Sequence, residues 1–160
     1  MNKPQPTPPA HCTFEPEDWL RLAKCWHPVA RACDIGPAPV KATLLDEQLV
    51  IYRIKGQVVV ARDVCPHRGV PLTLGFHDEE GIVCPYHGLR FGEDGRCNRI
   101  PSSPDQPVPA KLNLTSFAVE ERYGLIWTCL AFDPENPMPL PVMPHWHDDG
   151  FQQINCPAFE

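Results

Sequence analysis

The chain has 160 residues, of which 21% are charged, and a formal net charge of −6 at pH 7. This length suits one domain with a buried core and is too short for two sizeable domains. Lysine and arginine residues form no cluster, which argues against a nucleic-acid surface or an anionic membrane surface. The N-terminal region has no apolar run typical of a signal peptide, and no stretch reaches membrane-spanning length. We therefore expect a cytoplasmic protein whose eight cysteines stay reduced.

The first predicted element is a short helix over residues 16–24. Pro16 suits the first helical turn, and the negative charges of Glu17 and Asp18 are stabilising at the positive, N-terminal end of the helix dipole. Trp19 supplies a large apolar side chain for packing. We expect this helix to lead into the strands that follow.

From residue 40 onward the pattern predicts a succession of short strands. Residues 40–45, 49–54 and 57–62 are rich in β-branched side chains, and Lys55-Gly56 predicts a two-residue hairpin turn between the last two. Four further strand-like runs are separated by turn residues: 82–84, 90–92, 117–120 and 125–130. So many short, closely spaced strands predict an all-β fold, an antiparallel β-sandwich or small barrel with a short N-terminal helix.

Proline marks the boundaries of three parts of the chain. The 21 prolines concentrate at residues 4–9, 101–109 and 134–144, where they predict a floppy tail, a surface loop and a stiff connector. We therefore expect a flexible tail over 1–13, one domain over 14–132 and a proline-rich connector over 133–160. The apolar residues 151–154 resemble a strand that lacks its sheet, so the connector is expected to lead into a missing C-terminal domain.

Two short loops carry the main chemical signal of the chain. Loop 1 has the sequence Cys65-Pro66-His67-Arg68-Gly69, and loop 2 has the sequence Cys84-Pro85-Tyr86-His87-Gly88. Two thiolates on one iron and two imidazoles on the other are the ligands of a Rieske cluster. The glycine that ends each loop lets the backbone approach closely, so that N–H groups can point at the sulfurs. We therefore predict two hairpin loops that hold a [2Fe–2S] cluster for electron transfer, with the ligands Cys65, His67, Cys84 and His87.

Structural zinc is the competing interpretation, because two cysteines and two histidines also form a zinc ligand set. Zinc ligands usually stand two to four residues apart within a pair, whereas a single residue separates Cys65 from His67. The two loops also match each other, since each joins Cys-Pro to a histidine and a closing glycine. Spacing and repetition favour one shared cluster, with zinc as the alternative.

The same residues resemble a known family. Residues 65–72 (Cys-Pro-His-Arg-Gly-Val-Pro-Leu) and 84–91 (Cys-Pro-Tyr-His-Gly-Leu-Arg-Phe) are similar to the N-terminal domain of Rieske non-haem iron oxygenases. This family comprises the aromatic ring-hydroxylating dioxygenases and their monooxygenase and O-demethylase relatives. The resemblance covers roughly residues 19–135 and includes the segments 26–30, 94–102 and 123–127.

The resemblance implies the electron-accepting module of an oxidoreductase. In the family, a reductase or ferredoxin delivers single electrons to the cluster. The electron then passes to a mononuclear iron in the catalytic domain of the same or a neighbouring subunit of a homotrimer, and O2 hydroxylates or demethylates the substrate. The set His145, His147 and Asp148 is a poor site for such an iron, because it lies in the connector with no regular element to aim it. We therefore predict no catalytic residue, and a freestanding Rieske ferredoxin is the alternative function.

The resemblance also bears on the reduction potential of the cluster. Rieske proteins of respiratory complexes carry a disulfide between the loops at positions occupied here by Val70 and Tyr86, and a serine where this chain has Leu89. Leucine cannot donate a hydrogen bond to a cluster sulfide. We therefore expect a potential near the low end of the Rieske range, on the order of −150 mV.

Overall fold

The computed structural model describes residues 6–154, so part of the predicted tail, the end of the predicted connector and Cys156 lie outside the described residues. Helix α1 spans Pro16–Ala23 and confirms the predicted N-terminal helix. Trp19 is 2% exposed, and its indole N–H donates to the carbonyl oxygen of Leu45 at 3.0 Å. This bond ties the helix to the turn between two strands of the core.

Ten short strands follow the helix in the described part of the chain. Their bounds are β1 His27–Arg31, β2 Val40–Leu44, β3 Glu47–Ile54, β4 Gln57–Arg62, β5 Phe76–Asp78, β6 Gly81–Val83, β7 Arg90–Phe91, β8 Cys97–Arg99, β9 Ala118–Arg122 and β10 Leu125–Cys129. They form three antiparallel sheets with the orders β1-β10-β9, β2-β3-β4 and β5-β6-β7-β8. The all-β antiparallel prediction is confirmed. Within residues 6–154 the sheets stay open, so the small-barrel alternative is wrong.

The hairpin of β3 and β4 is the centre of the molecule. Ile54 pairs with Gln57 across the two-residue turn, and Lys55 and Gly56 have φ angles of 48° and 84°. Two positive φ angles are what the tight turns of twisted hairpins require, which explains the Lys-Gly sequence. The predicted hairpin is therefore confirmed.

Strand β3 is buried on both faces, which divides the interior into two cores. Leu49 and Ile51 face one core, shared with α1 and the β1-β10-β9 sheet. Val50 and Tyr52 face the other core, which lies against the four-stranded sheet and the two loops. Because successive side chains of β3 enter different cores, this strand joins the part of the domain that carries the loops to the rest.

The two loops connect different kinds of strands. Loop 2 joins β6 to β7, which pair with each other through Val83 and Arg90. Loop 1 lies between β4 and β5, which belong to separate sheets. Only loop 2 is therefore a hairpin loop, and the prediction of two hairpin loops holds for one of them.

The proline-rich segment after β10 lies against the β1-β10-β9 sheet. Trp26 donates from its indole nitrogen to the carbonyl oxygen of Met138 at 2.9 Å, and Trp146 packs edge-on against Tyr123 with ring centroids 5.1 Å apart. Residues 151–154 are exposed and pair with no described strand, so the expectation that they belong to the sheet of a further domain stays a prediction. A strand needs a neighbour for its backbone groups, and no described segment supplies one. No helix in the described part is long and apolar enough to cross a membrane.

Candidate metal centre

Loops 1 and 2 adopt the same backbone turn. In loop 1 the N–H of Cys65 donates to the oxygen of Val70 at 2.8 Å, and the N–H of Gly69 donates to the oxygen of Cys65 at 2.9 Å. In loop 2 the N–H of Cys84 donates to Leu89 at 2.9 Å, and that of Gly88 donates to Cys84 at 3.0 Å. The closing glycines have φ angles of 74° and 70°, a region that favours glycine. The repetition visible in the sequence is therefore a repetition of structure.

The two turns place their histidines differently. His67 is the third residue of its turn and His87 is the fourth, so Tyr86 stands at the position equivalent to His67. Even so, the two imidazole rings lie together, with centroids 4.8 Å apart. Both histidines are exposed. An exposed pair of imidazoles can bind one metal ion and still present ring edges to a partner protein.

The two predicted cysteine ligands are buried. Cys65 and Cys84 are 1% and 2% exposed, and their thiols lie beside each other. Burial raises the pKa of the Cys65 thiol to about 11, and the neighbouring Cys84 thiol adds to this rise. Backbone N–H groups of His67 and Arg68 point at the Cys65 sulfur and act in the opposite direction. A bound metal must therefore displace a proton held firmly by this thiol.

The four predicted ligands thus fall into a buried thiol pair and an exposed imidazole pair. Across residues 6–154 no group of three or more histidine, cysteine, aspartate and glutamate side chains is arranged to hold one metal ion. In the connector, His145 instead pairs with Asp148 at 3.2 Å and stacks on Phe151 with ring centroids 4.6 Å apart. The donor set fits a group with two metal atoms, one facing each pair.

Sequence reasoning missed the side chains that brace the loops. Asp63, two residues before Cys65, accepts hydrogen bonds from the backbone and hydroxyl of Thr73. After loop 2, the guanidinium of Arg90 pairs with Asp78 at 2.9 Å and also with Glu80. No sequence period relates these partners. In the sequence, the signal for these contacts is a charged residue close to a predicted ligand.

Comparison with known proteins identifies the domain. The model of a family described as Rieske [2Fe-2S] domain matches residues 25–118. Methylxanthine N1-demethylase NdmA of Pseudomonas putida is 41% identical over 122 residues, which cover 70% of this chain and 34% of the relative. The oxygenase component of dicamba O-demethylase from Stenotrophomonas maltophilia is 41% identical over 107 residues, covering 66% and 31%. Oxidoreductase NdmD of Pseudomonas putida is 36% identical over 118 residues, covering 72% and 20%.

A solved structure agrees with these matches. Pseudomonas putida NdmA with caffeine has a TM-score of 0.75 and 33% identity, over 82% of this chain and 39% of the solved chain. The chain spans about a third of the length of the two demethylases. The family match, the identities and the shared architecture lead to one conclusion: this chain belongs to the Rieske [2Fe–2S] domains and is related to oxygenase components.

Proposed function

We propose that this chain passes single electrons through a Rieske cluster held by Cys65, Cys84, His67 and His87, as the electron-accepting module of an oxygenase. The observation that carries the proposal is the sorting of the four side chains. Two buried thiols lie together and two exposed imidazoles lie together, on loops of one backbone geometry. A cluster with thiolates on one iron and imidazoles on the other needs this arrangement. A single zinc ion needs four donors around one point, so the two pairs support the cluster.

The same sorting gives each pair of ligands a role. The buried cysteines keep water from the sulfur side, and the N–H groups of His67 and Arg68 stabilise negative charge there. When bound, the cluster supplies one-electron redox chemistry. The exposed imidazoles of His67 and His87 form the edge through which an electron enters or leaves. Arg68 is also exposed and has no carboxylate within 4.0 Å among residues 6–154, so it is available to orient an acidic partner.

The proposed partners are those that the resemblance to the oxygenase family implies. We assign electron delivery to a reductase or ferredoxin, and electron acceptance to the mononuclear iron of a catalytic domain in the same or a neighbouring subunit of a homotrimer. The proposed Rieske domain spans 14–132, with 133–160 as the connector toward that catalytic domain. Oxygenation of a substrate would require the catalytic domain. We assign this chemistry to the cytoplasm, where cysteine thiols normally stay reduced.

Ligand replacement tests the assignment. We expect His67→Cys and His87→Cys to change the absorption spectrum, the EPR signal and the potential of the cluster, because a thiolate replaces a neutral imidazole on the same iron. His77→Cys is the matched control, since His77 lies outside both loops and bonds to the carbonyl oxygen of Gly36 at 3.1 Å. Unchanged spectra in both loop variants would mean that the ligands are others.

A freestanding ferredoxin is the second candidate function. It is kept because a similar domain makes up 20% of a protein named as an oxidoreductase, so such domains also occur outside the proteins named as demethylases. A free carrier would be reduced by a separate reductase and would then reduce a separate oxygenase, supporting many turnovers. The module of a larger oxygenase would accept the electron and support no turnover of a separate enzyme. Product formation with the chain added in substoichiometric amounts separates the two.

A further inference from the structure

Asp63 lies where β4 ends and the segment that carries loop 1 begins. It is 3% exposed. One carboxylate oxygen accepts the backbone N–H of Thr73 at 2.9 Å, and the other accepts the Thr73 hydroxyl at 2.7 Å. Its own N–H donates to the carbonyl oxygen of Gln48 in β3 at 2.8 Å. Asp63 therefore joins both ends of the segment 64–72 to each other and to the central hairpin.

Loop 1 needs such a closure because its flanking strands do not pair. Loop 2 is closed by the ladder of β6 and β7, in which Val83 and Arg90 are partners. Strands β4 and β5, which flank loop 1, belong to different sheets. Without another contact, the position of Cys65 would depend on the internal hydrogen bonds of its own turn. The contact between Asp63 and Thr73 takes the place of the missing ladder.

Asp63 also places a negative charge close to the loop. Both oxygens accept hydrogen bonds, as a carboxylate does. Among the described residues no lysine or arginine lies within 4.0 Å of Asp63, whereas the neighbouring buried Glu47 is paired with Arg62 at 2.6 Å. A buried charge without a counter-ion is weakly screened. Because reduction adds one electron to the bound cluster, this charge opposes reduction.

We propose that Asp63 is a positioning residue for the cluster: through Thr73 it holds loop 1 in its ligand-binding geometry, and its charge lowers the reduction potential. The proposal rests on the ligand set assigned above. It is consistent with the low potential expected from the leucine at position 89. It also makes loop 1 the part of the site that a side-chain contact closes, whereas loop 2 is closed by the ladder of β6 and β7.

Substitutions at both ends of the contact separate charge from geometry. Asp63→Asn removes the charge and should raise the midpoint potential. Thr73→Val keeps the charge and removes the hydroxyl bond, so the potential should stay nearer that of the parent while a chelator removes the cluster about fivefold faster. Thr73→Ser restores the hydroxyl and should restore the parent rate. Potentiometric EPR titration and the loss of visible absorption under chelator give the two readouts.

Two substitutions elsewhere serve as matched controls. One carboxylate oxygen of Asp46 accepts both the N–H and the hydroxyl of Thr13, at 2.7 and 2.8 Å, which is a similar but exposed contact at the N-terminal side of the domain. The buried hydroxyl of Thr128 donates to the carbonyl oxygen of Ala118 at 2.8 Å in the β1-β10-β9 sheet. Asp46→Asn and Thr128→Val should lower stability and leave the potential and the rate of cluster loss at parent values.

A second readout needs no cluster. In the metal-free chain, the rate of alkylation of Cys65 relative to Cys84 should rise in Asp63→Asn and Thr73→Val, because only loop 1 is released. Parent potential in Asp63→Asn, together with an unchanged alkylation ratio, would overturn the proposal. A parent chain that gives no Rieske EPR signal would contradict the proposed function instead, and the alkylation ratio would still decide whether Asp63 closes loop 1.

Discussion

Tyr52 carries a hydroxyl group in the core beneath the loops with no hydrogen-bond partner among residues 6–154. Burial raises the pKa of this phenol, and the nearby Asp94 adds to the rise. Removing an unpaired buried hydroxyl removes a desolvation cost, so Tyr52→Phe should leave the free energy of unfolding unchanged or raise it by up to about 1 kcal/mol. Urea unfolding measures the difference.

Thr128→Val is the comparison for this prediction, because the Thr128 hydroxyl is equally buried and does have a partner. It should lower the free energy of unfolding by about 1 kcal/mol. If Tyr52→Phe lowers stability as much as Thr128→Val, the Tyr52 hydroxyl has a bonding partner such as a buried water, and the account of this core is wrong.

The four-stranded sheet is built from strands of two or three residues, so few backbone hydrogen bonds hold it together. Close backbone packing at single positions therefore matters. At Gly81, the first residue of β6, an added Cβ would lie 2.1 Å from the carbonyl oxygen of Phe91, and φ is 149°. Gly81→Ala should therefore destabilise the domain by about 2 kcal/mol or more and speed cluster loss, since β6 leads directly into loop 2.

Gly36→Ala is a control of the same chemistry, because an added Cβ at Gly36 meets nothing within 4 Å. Chemical unfolding of both variants compares a crowded glycine with an open one. Equal stabilities for the two variants would show that β6 has room to move and that loop 2 is less firmly held than its ladder indicates.

Buried cysteine thiols on two different sheets should make the whole domain less stable at alkaline pH. Burial raises the pKa of the thiols of Cys97 and Cys129 above the usual value of 9.0. Above about pH 9 the unfolded chain therefore releases these protons first, and the free energy of unfolding falls by up to about 1.4 kcal/mol per pH unit for each group. The stabilisation is fully present below pH 9 and is lost as the pH rises through the folded-state values.

Urea unfolding at pH 8, 9 and 10 checks this slope. Cys129→Ala should be less stable than the parent at pH 8 because of lost packing, yet its stability should fall less steeply with pH. Parallel pH profiles for parent and variant would show that Cys129 titrates alike in the folded and unfolded chains.

The parts of the fold and of the candidate site that could be predicted are those that local sequence patterns encode. Loops 1 and 2 and the hairpin turn at Lys55-Gly56 depend on residues within five positions of each other. The turn has the predicted pairing and the two loops repeat one backbone turn, although only loop 2 is a hairpin loop. Strand β1 escaped prediction because it begins with His27-Pro28 and is a strand only through its pairing with β10, about a hundred residues later. The contact of Asp63 with Thr73 likewise depends on how β4 and β5 diverge, which no local pattern encodes.

Low-temperature EPR of the protein before and after dithionite shows whether two thiolates and two imidazoles hold a cluster. With these ligands the protein should be red-brown and EPR-silent when oxidised. After uptake of one electron it should give a signal whose average g value lies clearly below that of four-cysteine clusters. A colourless protein with bound zinc, or a reduced signal typical of four-cysteine ligation, would mean that the chain holds no Rieske cluster.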